Sequence, residues 1–167
     1  SKIYIPFVMA FLFGLILPVG FMYSKDLVKN AVSNRKDIEH GTGVPVLSEF
    51  SFLNLTSPII FNDKSNKDNF ILIEQFRHLR SRITSLNGSH SKNTATLITS
   101  SVTNEGKSFI SSNLAVALAN ASKKTILLEM DIYKSNISKI FGLPNVVGLT
   151  DYLNGKADIK KVIQKCD

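Results

Sequence analysis

Residues 94–131 read TATLITSSVTNEGKSFISSNLAVALANASKKTILLEMD, and this stretch determines the fold class that the sequence predicts. The runs at 94–100 and 125–130 are short and largely apolar, as strands covered on both faces of a sheet are. Between them, 106–122 carries apolar residues at helical spacing. Two strands joined by a helical crossover predict an α/β fold, with a parallel sheet and flanking helices.

The loop between the first predicted strand and the helix reads SVTNEGKS at 101–108. Its last three residues match the phosphate-binding pattern G-x-x-x-x-G-K-[ST], whereas Ser101 replaces the first glycine. In this pattern N–H groups cradle the phosphates, the lysine reaches the β- and γ-phosphates, and the serine hydroxyl binds Mg²⁺. We therefore predict a P-loop NTPase-like fold; the alternative is a chance loop with an exposed lysine. The residues predicted to bind ATP are Thr103, Asn104, Glu105, Gly106, Lys107, Ser108 and Phe109.

Two acidic residues, Glu129 and Asp131, end the second predicted strand. The C-terminal ends of parallel strands face the ligand crevice, and side chains two residues apart point the same way. Either carboxylate could hold the metal or its waters, or accept a proton from a nucleophile. The alternative is that they only cap the strand end.

An uncharged stretch at 3–23 predicts one transmembrane helix. Its 21 residues would span about 31 Å as a helix, the thickness of a bilayer core. Basic residues follow it closely, whereas only Lys2 precedes it, so the positive-inside rule places 24–167 in the cytoplasm. The alternative is a signal peptide.

Composition excludes several classes of protein. The 167 residues carry a net charge of +7 and a single cysteine, Cys166, which excludes a disulfide framework. The basic excess could favour an anionic membrane surface, or it is only the bias of a soluble domain. No basic cluster is interleaved with aromatic residues, so nucleic acid is not indicated. The chain begins at Ser1 and stops without a closing signal, and we expect a fragment of a longer protein.

Three segments follow from these patterns: a transmembrane helix at 1–23, a juxtamembrane helix and linker at 24–69, and part of a nucleotide-binding domain at 70–167. Within the last, apolar residues of 70–86 recur at helical spacing, with Arg77, Arg80 and Arg82 predicted on the other face. Shorter helices are expected at 134–141, 149–153 and 158–165.

Several motifs in order resemble the bacterial tyrosine kinases (BY-kinases) of exopolysaccharide and capsule export. They are GVPVL at 43–47, EQFRHLR at 74–80 with the family's E-x-x-R-x-x-R pattern, the P-loop segment at 100–119, ILLEMD at 126–131 and FGLPNVVGLTDYLNGK at 141–156. The resemblance covers nearly the whole chain. It implies a truncated piece of such a kinase, with the second membrane helix and the N-terminal half of the kinase domain.

The resemblance also implies a function and a set of site residues. The function is that of an ATP-dependent protein-tyrosine autokinase, anchored in the bacterial inner membrane, that regulates polysaccharide polymerisation and export. The implied catalytic residues are Lys107 on the phosphates and Asp131 or Glu129 beside the tyrosine hydroxyl, with Ser108 and Asp131 on Mg²⁺. Glu74, Arg77 and Arg80 would join subunits in a ring-like homo-oligomer; the alternative is an ordinary solvated helix face. Implied partners are the export machinery and a cognate tyrosine phosphatase.

The sequence departs from the family at several positions. Glu129 stands where the family has Asp, Tyr133 where it has Arg, and Thr103-Asn104 where it has Pro-Gly. The family's third acidic motif and its tyrosine-rich tail would lie after residue 167, so this piece alone is expected to be inactive. Two alternatives remain: a nucleotide-binding regulator without catalysis, and a partitioning-type ATPase, against which Val102 stands in place of the signature lysine.

Overall fold

The computed structural model describes residues 4–28, 34–53, 55, 57–62, 67–86, 93–132 and 135–166. The chain divides into two compact units, Ser1–Val46 and Leu47–Asp167. The first contains the predicted membrane helix and the second contains the predicted P-loop.

The described residues of the first unit form two helices. Helix α1, Tyr4–Val28, includes a stretch from Tyr4 to Ser24 that is long and apolar enough to cross a membrane, with every side chain exposed. Helix α2, Arg35–Thr42, begins where the Asp37 carboxylate accepts a hydrogen bond from the Asn34 N–H at 3.0 Å. The juxtamembrane helix expected within 24–69 corresponds to the end of α1 and to α2, while 29–33 lie outside the described residues.

A carboxylate fixes the end of this unit. Glu39 Oε1 accepts one hydrogen bond from Arg35 Nε and another from the Val46 N–H, each at 2.9 Å. Gly43 ends α2 with a φ of +68°, which is the left-handed conformation that glycine adopts without strain.

The second unit is built on two packed helices, α3 (Lys67–Leu86) and α4 (Lys107–Ala119). Leu72, Ile73, Phe76 and Leu79 are buried along α3, at the spacing of one helix face. This confirms the helix predicted from the apolar residues of 70–86, with three further residues at its start. On α4, Leu114 and Ala117 are buried, and the small Ala117 lets the helices approach closely.

Part of the predicted linker belongs to this core. Ile59, Ile60 and Phe61 are buried around a 3₁₀ turn, Ile60–Asn62, that contacts both α3 and α4. The buried Asn113 side chain of α4 accepts from the Ile60 N–H at 3.0 Å and donates to the Pro58 carbonyl at 2.9 Å. This short apolar run lies inside the segment 24–69, whose polar composition predicts a linker, yet it packs against α3 and α4.

The expected parallel sheet is not formed among the described residues. Both predicted strands, 94–100 and 125–130, run without paired strand structure, although exposure alternates along 125–130 as in a strand. Leu97 is 85% exposed and Ile126 is 81% exposed. A stable sheet needs three or more strands with a covered face, and only two predicted strands are present. The predicted sheet is thus absent from the described residues, where 94–100 and 125–130 are unpaired segments and Ile98 packs against the helical core.

The remaining helices are short: α5 (Ile137–Ile140), α6 (Leu149–Leu153) and α7 (Ile159–Val162). They lie within the three stretches predicted to be helical, of which residue 134 is outside the described part of the chain. The P-loop helix predicted at 106–122 is confirmed as α4, which ends three residues earlier.

Candidate nucleotide site

The loop 101–108 leads directly into α4. Gly106 precedes the helix with a φ of +90°, and none of the described side chains caps the helix N-terminus. The first backbone bond into the helix runs from the Ile110 N–H to the Gly106 carbonyl at 2.9 Å. The N–H groups of Lys107, Ser108 and Phe109 therefore lie in the first turn, where helical N–H groups lack internal partners and attract anions.

The backbone conformation at residue 106, rather than a lack of room for a side chain, explains why a glycine is present there. A Cβ atom at Gly106 would meet no heavy atom of the described residues within 4 Å, so space does not exclude a Cβ. The positive φ is what an L residue with a side chain adopts only at a cost.

Asn104 also has a positive φ, of +67°. The kinases that the sequence resembles have a glycine at this position, and among other residues Asn tolerates the left-handed region best. Asn104 is therefore compatible with the left-handed conformation that the loop has here.

The Lys107 side chain folds back along the loop. Its Nζ donates to Ser100 Oγ at 2.7 Å and to the Val102 carbonyl at 3.2 Å. Ser100 Oγ in turn donates to the Val102 carbonyl at 2.9 Å. Ser100 is a site residue that the sequence reasoning missed; its position just before the loop was the available signal.

Glu105 closes the same loop from the other side. Its Oε2 accepts a hydrogen bond from the Val102 N–H at 3.1 Å. That bond lowers the pKa of the Glu105 carboxyl below its ordinary value, and the Ser100 hydroxyl and the Lys107 charge lower it further.

The loop residues fit a bound polyphosphate and Mg²⁺ in part. The uncapped helix start, Lys107 and the half-buried Ser108 supply the N–H groups, cation and hydroxyl that such a ligand needs. Thr103 is exposed. The Phe109 ring instead lies 5.7 Å from the Phe76 ring, so only the backbone of Phe109 is available to a ligand.

Glu129 is engaged away from the loop. Its carboxylate accepts from Ser135 Oγ at 2.8 Å, from the Asn136 N–H at 2.7 Å and from the Ile137 N–H at 3.1 Å. These donors surround the start of α5, where a carboxylate is favourable. Asp131 is exposed. The Glu129 carboxylate thus contacts the start of α5, which differs from the strand-end cap considered as the alternative role. Tyr133 lies outside the described residues.

The three residues expected at a subunit contact divide into two groups. Glu74 and Arg77 form an ion pair on the exposed face of α3. Arg80 is half-buried and donates from Nη1 to the Ala117 carbonyl of α4 at 2.9 Å. The expectation that Arg80 lies on the solvated face is therefore wrong, because its long side chain reaches across to the neighbouring helix.

A comparison with protein-family models gives no match for this chain. The chain is 28% identical over 166 residues to a Klebsiella pneumoniae protein described as a tyrosine-protein kinase in the cps region, covering 90% of this chain. The resemblance to bacterial tyrosine kinases is confirmed. The chain spans about a fifth of that relative's length, 22%.

Solved structures that are similar to this one include the following two. The chimerical protein CapA2B2 matches with a TM-score of 0.66 and 31% identity, over 80% of this chain and 56% of that one. The kinase domain of the Escherichia coli tyrosine kinase ETK matches with a TM-score of 0.67 and 23% identity, over 81% of this chain and 56% of that one. The second likeness supports the fold alone, over the part of this chain that it covers.

Proposed function

We propose that this chain is part of a membrane-anchored, ATP-dependent protein-tyrosine autokinase that acts in exopolysaccharide or capsule polymerisation and export. The observation that carries the proposal is the N-terminus of α4. It follows the left-handed Gly106, begins with Lys107 and is not capped by a described side chain. Similarity to a named tyrosine-protein kinase over 90% of the chain supports it.

In this proposal Mg-ATP supplies the phosphoryl group to be transferred. Lys107 leaves Ser100 and Val102 and donates to the phosphates, while the first N–H groups of α4 hold them in place. Ser108 and Asp131 offer oxygen atoms to Mg²⁺. Asp131 also accepts the proton of the attacking tyrosine hydroxyl, since Glu129 is held by the start of α5.

The membrane anchor is the candidate span in α1. We propose that it holds the chain in the bacterial inner membrane with 24–167 on the cytoplasmic side. The proposed segments keep their boundaries: anchor 1–23, juxtamembrane segment 24–69 and kinase part 70–167.

Self-association is proposed through the exposed Glu74–Arg77 pair of α3, in a ring-like homo-oligomer. Such a contact would bring one protomer's tyrosines to the site of the next. The polysaccharide export machinery and a cognate tyrosine phosphatase are the further partners that this function requires.

The direct test is Lys107→Ala in the full-length protein. Loss of a charge-assisted hydrogen bond of ~1.5–3 kcal/mol should weaken Mg-ATP binding roughly tenfold or more, and phosphotyrosine should disappear. The control is Lys124→Ala, which removes an exposed lysine outside the loop. Unchanged phosphotyrosine in Lys107→Ala would remove the loop from the mechanism.

One observation favours a second candidate, a nucleotide-binding regulator of chain length without catalysis. The Glu129 carboxylate accepts hydrogen bonds from three donors at 135–137. One acid of the expected pair is therefore engaged away from the nucleotide site. The regulator would bind Mg-ATP in a Lys107-dependent way, yet wild-type protein would form no phosphotyrosine.

A further inference from the structure

We propose that Glu105 is an internal competitor of the nucleotide: its carboxylate occupies the loop in the nucleotide-free protein and opposes phosphate binding. The inference rests on the proposed function, because it concerns regulation of the same site. Glu105 then weakens nucleotide binding, whereas a residue that contacts the nucleotide would strengthen it.

The first observation is the place of the carboxylate. Glu105 lies between Asn104 and Gly106, both of which have positive φ, and so stands in the bend of the loop. Its Oε2 accepts from the Val102 N–H three residues earlier, at 3.1 Å. A negative group is therefore held within the loop by the kind of backbone donor that such loops offer to phosphate oxygens.

The second observation is the place of the cation. Lys107 Nζ donates to Ser100 Oγ at 2.7 Å and to the Val102 carbonyl at 3.2 Å. The backbone of a single residue, Val102, contacts both charged side chains, since its N–H donates to Glu105 and its carbonyl accepts from Lys107. The lysine must break these two bonds before it can reach a phosphate.

In the loop, the Glu105 carboxylate and the Lys107 ammonium group therefore both form hydrogen bonds with neighbouring loop groups. When a nucleotide binds, Lys107 must leave these hydrogen bonds, and the phosphates must lie near the negative charge of Glu105. Repulsion rises with the charge of the ligand, so it opposes ATP more than ADP. Nucleotide binding is thereby weakened without loss of any phosphate contact.

The test compares two substitutions at Glu105 in the full-length protein. Glu105→Gln keeps an oxygen that can accept from the Val102 N–H and removes the charge. We expect it to bind Mg-ATP roughly two- to fivefold more tightly, the range of an exposed charge interaction. The gain should shrink at high salt, because exposed charges are screened, and it should be smaller for Mg-ADP.

Two further variants separate the charge from the structure of the loop. Glu49→Gln removes the same charge at an exposed carboxylate outside the loop and should leave affinity unchanged. Ser100→Ala removes one of the two acceptors of Lys107 and should also tighten binding, without a change in net charge. If Glu105 only braces the loop, Glu105→Gln will match wild type and Glu105→Ala will bind more weakly.

The outcomes separate this inference from the proposed function. Wild-type protein that binds no Mg-ATP, or binds it equally well as Lys107→Ala, overturns the proposed function and the inference with it. Wild-type protein that binds through Lys107, with Glu105→Gln no tighter, overturns the inference alone.

Discussion

Arg80 Nη1 donates a hydrogen bond to the carbonyl oxygen of Ala117 at 2.9 Å, and this bond joins α3 to the last turn of α4. Carbonyls in the last turn of a helix lack partners within the helix, and a cation there is favoured by the helix dipole. Ala117 is fully buried. The arginine therefore satisfies a carbonyl that water reaches poorly.

Arg80→Ala should lower the free energy of unfolding by about 1–3 kcal/mol, because it leaves the Ala117 carbonyl without this partner. Arg77→Ala is the matched control on the same helix. It breaks only an exposed ion pair with Glu74, so its effect should stay within about 1 kcal/mol. Urea denaturation of both variants measures the difference.

Equal stability of the two variants would contradict the role given to Arg80. The same pair also sharpens the test of self-association. Sedimentation of Arg77→Ala reports on the surface contact, whereas a change in Arg80→Ala mixes assembly with folding.

Asn104 offers a second test, since its φ of +67° lies in the left-handed region. Asn104→Gly should stay within about 1 kcal/mol of wild type in stability, because glycine adopts this conformation freely but gains entropy in the unfolded chain. Asn104→Val should be less stable by about 1–2 kcal/mol. Thr103→Val is the control at an exposed neighbour, and a loss there equal to that of Asn104→Val would refute the conformational explanation.

Alanine substitutions at Glu129 and at Asp131 should have different effects. Glu129→Ala removes the acceptor for the Asn136 and Ile137 N–H groups, so amide hydrogen exchange at these two residues should become faster. Asp131→Ala should leave that exchange unchanged and should weaken the Mg²⁺ dependence of nucleotide binding. Slower or unchanged exchange in Glu129→Ala would show that the cap does not persist in solution.

The Glu105 carboxyl should titrate below its ordinary pKa, chiefly because the Val102 N–H stabilises its charged form. For a group whose folded pKa is lowered, the contribution to stability is present above the unfolded pKa and is lost as the pH falls through the folded one. An NMR titration of this carboxyl in folded and urea-unfolded protein measures both midpoints. A folded midpoint at or above the unfolded one would contradict the loop geometry.

Periodicity predicted the helices of this chain well, and for a clear reason. The spacing of Leu72, Ile73 and Phe76 records which face of α3 is buried, and the pattern GKS marks the start of α4. Both are local signals. The Lys107 contacts with Ser100 and Val102 are also local, but they depend on backbone conformation that residue types alone do not specify.

Contacts between distant segments were not readable in the same way. The burial of Ile60 depends on Asn113, and the position of Arg80 depends on Ala117. A polar residue amid the apolar residues of α4 was a signal for Asn113. The predicted strands failed for a related reason, since a strand forms only with pairing partners, and partners are a property of the rest of the sheet.

The buried amide of Asn113 has a consequence for the rate of unfolding. It bonds to residues 53 and 55 positions earlier in the chain, so a long loop must close before those bonds can form. Because the entropy of loop closure is paid before such contacts contribute, we expect these two bonds to form after the transition state. We therefore expect Asn113→Ala to shorten the lifetime of the folded unit while leaving the speed of its formation nearly unchanged. In this account the Asn113 amide slows unfolding, because its hydrogen bonds hold the segment before α3 against α4.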